Sequence, residues 1–76
     1  MKKINNSECL ISFGKYIRKA RKARHLYQSD VAFLVGISQV QLSYIENGKR
    51  EPDLVLALNL CNALGVDMKD FIDQYL

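Results

Sequence analysis

Residues 36–48 read GISQVQLSYIENG, and the period of the apolar residues inside that stretch decides what the chain becomes. Val40, Leu42 and Tyr44 alternate with Gln41 and Ser43 as on a half-buried strand, while Leu42, Ile45 and Glu46 recur at helical spacing. The two ends settle the choice. Gly36 supplies a left-handed stop, Ser38 is a good N-cap just after it, and Asn47 with Gly48 closes a segment of roughly nine residues, which suits a short helix. On that helix Leu42, Ile45 and Glu46 point one way, and Val40, Ser43, Tyr44 and Asn47 point the other. Gln39 stands at its exposed N-terminal tip. The outward face therefore holds a Val, a Tyr and amides where Lys and Glu would be easier to solvate, so it calls for a partner.

Working outward from this helix, the same reasoning predicts helices on both sides. After a polar N-terminal tail over residues 1–10, Phe13, Ile17 and Ala20 mark an amphipathic helix from about residue 11 to 24. Arg21 follows Ile17 by four and lies on the apolar face, where a charge needs a partner. Val31, Ala32 and Val35 form the stripe of a second helix that Gly36 stops. Beyond the central helix, Pro52 and Asp53 open a fourth that runs to Leu64 and is stopped by Gly65. Ala57, Leu60, Cys61 and Leu64 make its core stripe; Val55 lies nearly opposite, with Leu56 and Leu58 on the flanks, and a monomer would leave them wet. Asp67 caps a last helix, Met68 to about Tyr75, that contributes Phe71 and Ile72. The expected architecture is all-α, a single domain over 11–76.

Composition bounds the rest. At 76 residues the chain is near the lower end of what folds alone, so a partner subunit would help and a large catalytic cleft is not expected. Hydrophobic residues at 49% and charged ones at 25% are globular proportions. The start, MKKINNSECLIS, lacks the apolar core of a signal peptide, and nowhere do 18 apolar residues run together, so the chain reads as cytoplasmic and not membrane-bound. Cys9 and Cys61 are too few and too far apart for a metal site; Cys61 reads as a small core residue. Charge is uneven. Residues 1–50 carry ten Lys and Arg against Glu8, Asp30 and Glu46, whereas residues 51–76 carry Lys69 against five acids. A surface basic at one end suits a polyanion.

Residues 28–47 thus form two short helices joined by a tight turn, with Gln28, Ala32, Gly36, Leu42 and Ile45 at helix-turn-helix positions. With FGKYIRKAR, QSDVAFLVGISQVQLSYIENGKREP and LCNALGV at family spacing between about Phe13 and Phe71, the sequence resembles the Cro and phage-repressor-like (XRE) helix-turn-helix family. That resemblance implies a compact, five-helix lambda-repressor-like domain whose recognition helix, Gln39 to Asn47, enters the major groove of double-stranded DNA. Gln39, Val40, Ser43 and Tyr44 match the family's base-edge positions, and their chemistry agrees: Gln pairs with adenine, and Val or Tyr packs on a thymine methyl. Gln28, Ser38, Asn47, Lys49 and Arg50 are the expected phosphate contacts. The family pairs the positions of Arg21 and Glu46, which implies an ion pair between the first and third helices. The family pattern is departed from in three places: His25 stands where Gly is common and reads as a turn residue, Tyr27 replaces the usual capping Ser or Thr, and Val55 and Leu56 replace polar residues.

The function expected is a sequence-specific transcriptional regulator without cofactor or metal, acting as a homodimer through Val55, Leu56, Leu58, Ile72 and Tyr75, most simply as a repressor on a palindromic operator. Alternatives on the same fold are an antitoxin that binds a toxin, or the controller protein of a restriction-modification operon; contact with polymerase is a further partner to test. A protein-interaction module whose helix-turn-helix reads no DNA is the alternative of another class. An enzyme is not expected: His25 is the one imidazole, and no phosphate loop or paired-carboxylate pattern appears.

Overall fold

The computed structural model describes residues 5–75. Among them the chain forms five helices and no strand: α1 Asn6–Ala23, α2 Gln28–Val35, α3 Gln39–Glu46, α4 Leu54–Leu64 and α5 Met68–Tyr75. The helical period in the central stretch is the real one. Capping explains where most of the helices begin. Ser38 and Gln41 cap α3 reciprocally, the Ser38 hydroxyl accepting from the Gln41 N–H at 3.1 Å and the Gln41 amide accepting from the Ser38 N–H at 2.9 Å. The carboxylates of Asp53 and Asp67 each accept an N–H three residues on, both at 2.8 Å. Tyr27 offers α2 no side-chain cap; instead the Asp30 carboxylate reaches back to the Tyr27 N–H at 2.9 Å.

The first helix begins five residues earlier than the apolar period indicated. Asn5 caps it by accepting the Glu8 N–H at 2.8 Å, and Glu8 places a negative charge in the first turn, where the helix dipole favours it. The polar run NNSE is thus a helix start and not a tail; residues 1–4 lie outside the described residues. Cys9 packs partly against the core from this added segment. At the other end His25 adopts φ 56°, and the two hydrogen bonds that close α1 there, His25 N–H to Lys22 and Leu26 N–H to Arg21, form a left-handed stop without glycine.

Ile17, Val31, Leu42, Ile45, Leu60 and Leu64 are fully enclosed and draw α1 through α4 around one centre. A second cluster fastens α5: Phe13 meets Phe71 edge-on at 5.4 Å, Tyr16 and Tyr75 complete the group, and the Tyr16 hydroxyl donates to the Asp67 carbonyl at 3.0 Å. Cys61 is buried as expected, and burial pushes its thiol pKa up. Arg24 donates to the Leu64 carbonyl, satisfying one of the open acceptors at the C-terminus of α4.

Gly14 determines how closely α1 and α3 cross. A Cβ there would lie 2.5 Å from the Ile45 carbonyl oxygen and 2.6 Å from that of Glu46, so only glycine lets the end of α3 rest on α1. This crossing positions the face of α3 that the core does not use. Among the described residues no helix is long and apolar enough to cross a membrane.

Candidate nucleic-acid interface

The short connection between α2 and α3 fixes their mutual angle. Gly36 takes φ 76° with open space around its α-carbon, so it is needed for backbone geometry and not for room. Ala32 is buried and Ile37 packs partly on the core, its N–H donating to the Ala32 carbonyl at 3.0 Å. Leu42 and Ile45 then anchor α3 from beneath. What remains outside is the face that the helical wheel isolated: Val40 is 61% exposed, Tyr44 50%, and Gln39 and Asn47 are exposed, with Ser43 half-buried between them. The large apolar side chains on this face each leave half or more of their surface open. Lys49 and Arg50 follow at once, both exposed, in the segment after Gly48.

Beneath the helix lies a polar network. Arg21 grips Glu46 through two hydrogen bonds, Nε to Oε2 at 2.7 Å and Nη2 to Oε1 at 3.0 Å, and its Nη1 donates to the Leu26 carbonyl at 2.8 Å. Both residues are buried, so the pair holds α1 and α3 together in a low-dielectric setting. Burial pushes the Glu46 carboxyl pKa up, but the hydrogen bonds from Arg21 and Gln28, the Arg21 charge and the Arg18 hydrogen bond outweigh it and hold the group below the ordinary carboxylate range. The same bond raises the Arg21 pKa further.

Two members of this network differ from the sequence-based assignment. Gln28, expected to reach for a phosphate, turns its amide inward and donates Nε2 to Glu46 Oε1 at 3.0 Å, leaving one amide hydrogen for other use. Arg18, absent from the expected contacts, joins from α1: Nε lies 3.4 Å from Glu46 Oε1 and Nη2 donates to Asn47 Oδ1 at 2.8 Å. Its position three residues before Arg21 puts it on the neighbouring flank of α1, a signal present in the sequence. Asn47 is oriented at both ends, since its Nδ2 donates to the Ser43 carbonyl at 2.8 Å. Ser38 keeps its hydroxyl proton while capping, and lies exposed beside Gln39.

Away from this face, Val55 is 67% exposed, with Leu58 and Ile72 also open. Leu54, which the helical stripe did not single out, is open beside them. Leu56 and Tyr75, expected at the same interface, are instead half-buried, because each packs partly against the core of its own chain. Phe33 and Leu34 on α2 are exposed as well.

A helix-turn-helix family model matches residues 17–71. An uncharacterized HTH-type transcriptional regulator of Bacillus subtilis, YqaE, is 34% identical over 56 residues, which cover 74% of this chain and 48% of the relative; the chain thus spans about half of that protein. Another uncharacterized HTH-type transcriptional regulator, y4dJ of Sinorhizobium fredii, is 32% identical over 59 residues, covering 78% of this chain and 77% of the relative. Among solved structures, the restriction-modification controller protein C.AhdI from Aeromonas hydrophila superimposes with a TM-score of 0.76 at 34% identity, covering 82% of this chain and 94% of that one. The clp gene regulator ClgR from Corynebacterium glutamicum gives a TM-score of 0.82 at 24% identity, covering 88% of this chain and 86% of that one, a likeness of fold alone. Because the matched segment contains the turn at Gly36 with both of its helices, the chain belongs to the XRE-type helix-turn-helix family.

Proposed function

We propose that this helix-turn-helix regulator binds double-stranded DNA sequence-specifically as a homodimer and represses transcription from a palindromic operator. The observation that carries the reading is the exposure of Val40 and Tyr44 on α3, directly opposite the buried Leu42, Ile45 and Glu46. In this reading Gln39, Val40, Ser43 and Tyr44 read base edges, while Ser38, Asn47, Lys49, Arg50 and the remaining amide hydrogen of Gln28 meet phosphates. The basic surplus of residues 1–50 supplies long-range attraction to the duplex. Leu54, Val55, Leu58 and Ile72 supply the apolar surface of the dimer. Two copies related by a two-fold axis place their recognition helices about 34 Å apart, in successive major grooves.

Selection of bound sequences from random DNA, followed by sedimentation of the free and bound protein, tests this. The expected outcome is a selected duplex with two-fold symmetric half-sites, bound by two chains and preferred over random duplex by about 1000-fold or more. Equal affinity for selected and random duplex removes sequence reading; a single chain on a single half-site removes the dimer. A narrower role, as controller protein of a restriction-modification operon, is favoured by the likeness to C.AhdI. Adjacent genes for a nuclease and a methyltransferase, with binding to their shared promoter, support that role, and their absence removes it.

A further inference from the structure

The charge on Glu46 is already matched before Arg18 reaches it. Arg21 holds both carboxylate oxygens, at 2.7 and 3.0 Å, so Arg18 brings a second positive charge to a group that needs only one. The cluster of Arg18, Arg21 and Glu46 therefore carries a surplus positive charge, and that surplus sits on the outermost member. The Arg18 side chain is 36% exposed, against 10% for Arg21 and 0% for Glu46. Its bond lengths point the same way. The contact with the buried carboxylate is the long one, 3.4 Å, and the contact with the exposed Asn47 amide is the short one, 2.8 Å. A guanidinium drawn inward by the ion pair would show the reverse order.

Place matters as much as charge. Asn47 caps the C-terminus of α3, and the last turn of that helix contains no basic residue. The C-terminal end of a helix carries partial negative charge and repels a phosphate. Lys49 and Arg50 follow in the segment after Gly48, and α1 adds a further cation on the side of Asn47 through Arg18. Of the five N–H donors on a guanidinium, Nε and one on Nη2 are engaged, and the others have no partner among the described residues.

We propose that Arg18 is a phosphate-binding residue: its unengaged N–H donors take one backbone phosphate beside the C-terminus of α3, and the same guanidinium holds Asn47 ready at that phosphate. This rests on the DNA-binding reading above and extends the contact surface from the helix-turn-helix to α1. Paired N–H donors suit a phosphate better than a point charge does, and the link to Glu46 keeps the guanidinium oriented before the duplex arrives.

The test compares wild type, Arg18→Gln and Arg18→Lys on a random-sequence duplex of about 20 base pairs across a salt series, using fluorescence anisotropy. Loss of one phosphate contact lowers the slope of log affinity against log salt by about 0.9 per protomer. Between about 50 and 200 mM salt the wild-type affinity is then expected to fall about 3.5-fold further per protomer than that of Arg18→Gln, with Arg18→Lys keeping most of the wild-type slope. A salt slope unchanged in Arg18→Gln overturns the assignment and leaves Arg18 as a prop for Glu46, whether or not the melting temperature falls. A readout without any variant guards against misfolding: in the NMR spectrum of the wild type, the duplex should shift the Arg18 Nε–H signal and leave that of the buried Arg21 in place. An unmoved Arg18 signal in a bound complex overturns the proposal as well. If the wild type itself shows no salt-dependent binding, the DNA-binding reading fails first and Arg18 with it; wild-type binding with an indifferent Arg18 defeats the present inference alone.

Discussion

Replacing Glu46 by Gln removes one charge at the point where α1, α2 and α3 meet. Glu46 is 2% exposed, and its carboxylate accepts two hydrogen bonds from Arg21, one from Gln28 and a longer one from Arg18. A Gln side chain has one oxygen to offer and would turn an NH2 group toward donors, so at least one Arg21 bond is lost and the Arg21 charge stays buried without a countercharge, with only neutral acceptors such as the Leu26 carbonyl beside it. Breaking a buried ion pair from one side costs about 3–5 kcal/mol. At about 4–8 °C of melting temperature per kcal/mol for a domain of this size, even the lower figure shifts the midpoint by about 12 °C or more. Circular dichroism at 222 nm during heating measures it directly. The double variant Arg21→Met with Glu46→Leu should recover part of the loss, because an apolar pair of similar volume avoids desolvating either charge. A midpoint for Glu46→Gln within about 3 °C of wild type would refute the reasoning, since that is under about 1 kcal/mol. A double variant no better than the sum of the single ones would show instead that the two residues do not act as a pair.

Two further expectations follow from the same region. Because the folded-state pKa of Glu46 lies below its unfolded value, the stabilisation it provides is complete above the unfolded carboxyl range, near about pH 4.3, and is lost as pH falls through the folded value; the gap in melting temperature between wild type and Glu46→Gln should close on acidification below that range, and a gap of constant size refutes the coupling. Gly14→Ala gains helix propensity of about 1 kcal/mol but drives a methyl group to 2.5 Å from a main-chain carbonyl of α3, so a net loss of about 2 kcal/mol in urea unfolding is expected, and a stabilised variant would show that the α1–α3 crossing is not tight.

The boundary at the start of α1 shows where periodicity loses its hold. Residues 6–10 contribute little to the core, so hydrophobic spacing is silent about them, and the capping Asn5 with Glu8 three residues later was the signal to weigh. Apolar exposure gave the opposite difficulty. Leu54 and Val55 both face outward, but Leu56 and Tyr75 are drawn back onto their own core, a distinction that depends on how α4 and α5 lie against α1 and not on the wheel of either helix.

Most of the fold was legible in single residues because each acts locally. Gly36 and Gly65 stop helices through their own backbone freedom, Ser38, Asp53 and Asp67 start them through a side chain three residues from its target, and the spacing of Leu42, Ile45 and Glu46 separates the inner from the outer face of α3. Only the tertiary structure decided what the polar residues at the helix crossings do. Gln28 and Arg18 come from different helices, 18 and 28 residues in sequence from Glu46, and whether each turns toward that carboxylate or toward solvent depends on how α2 and α1 lie against α3, the first fixed by the turn at Gly36 and the second by the close crossing at Gly14. A hydrogen bond needs its partners within a narrow range of distance and angle, whereas hydrophobic burial is non-directional, so the pattern of apolar residues carries the architecture and the packed structure alone selects the polar contacts within it.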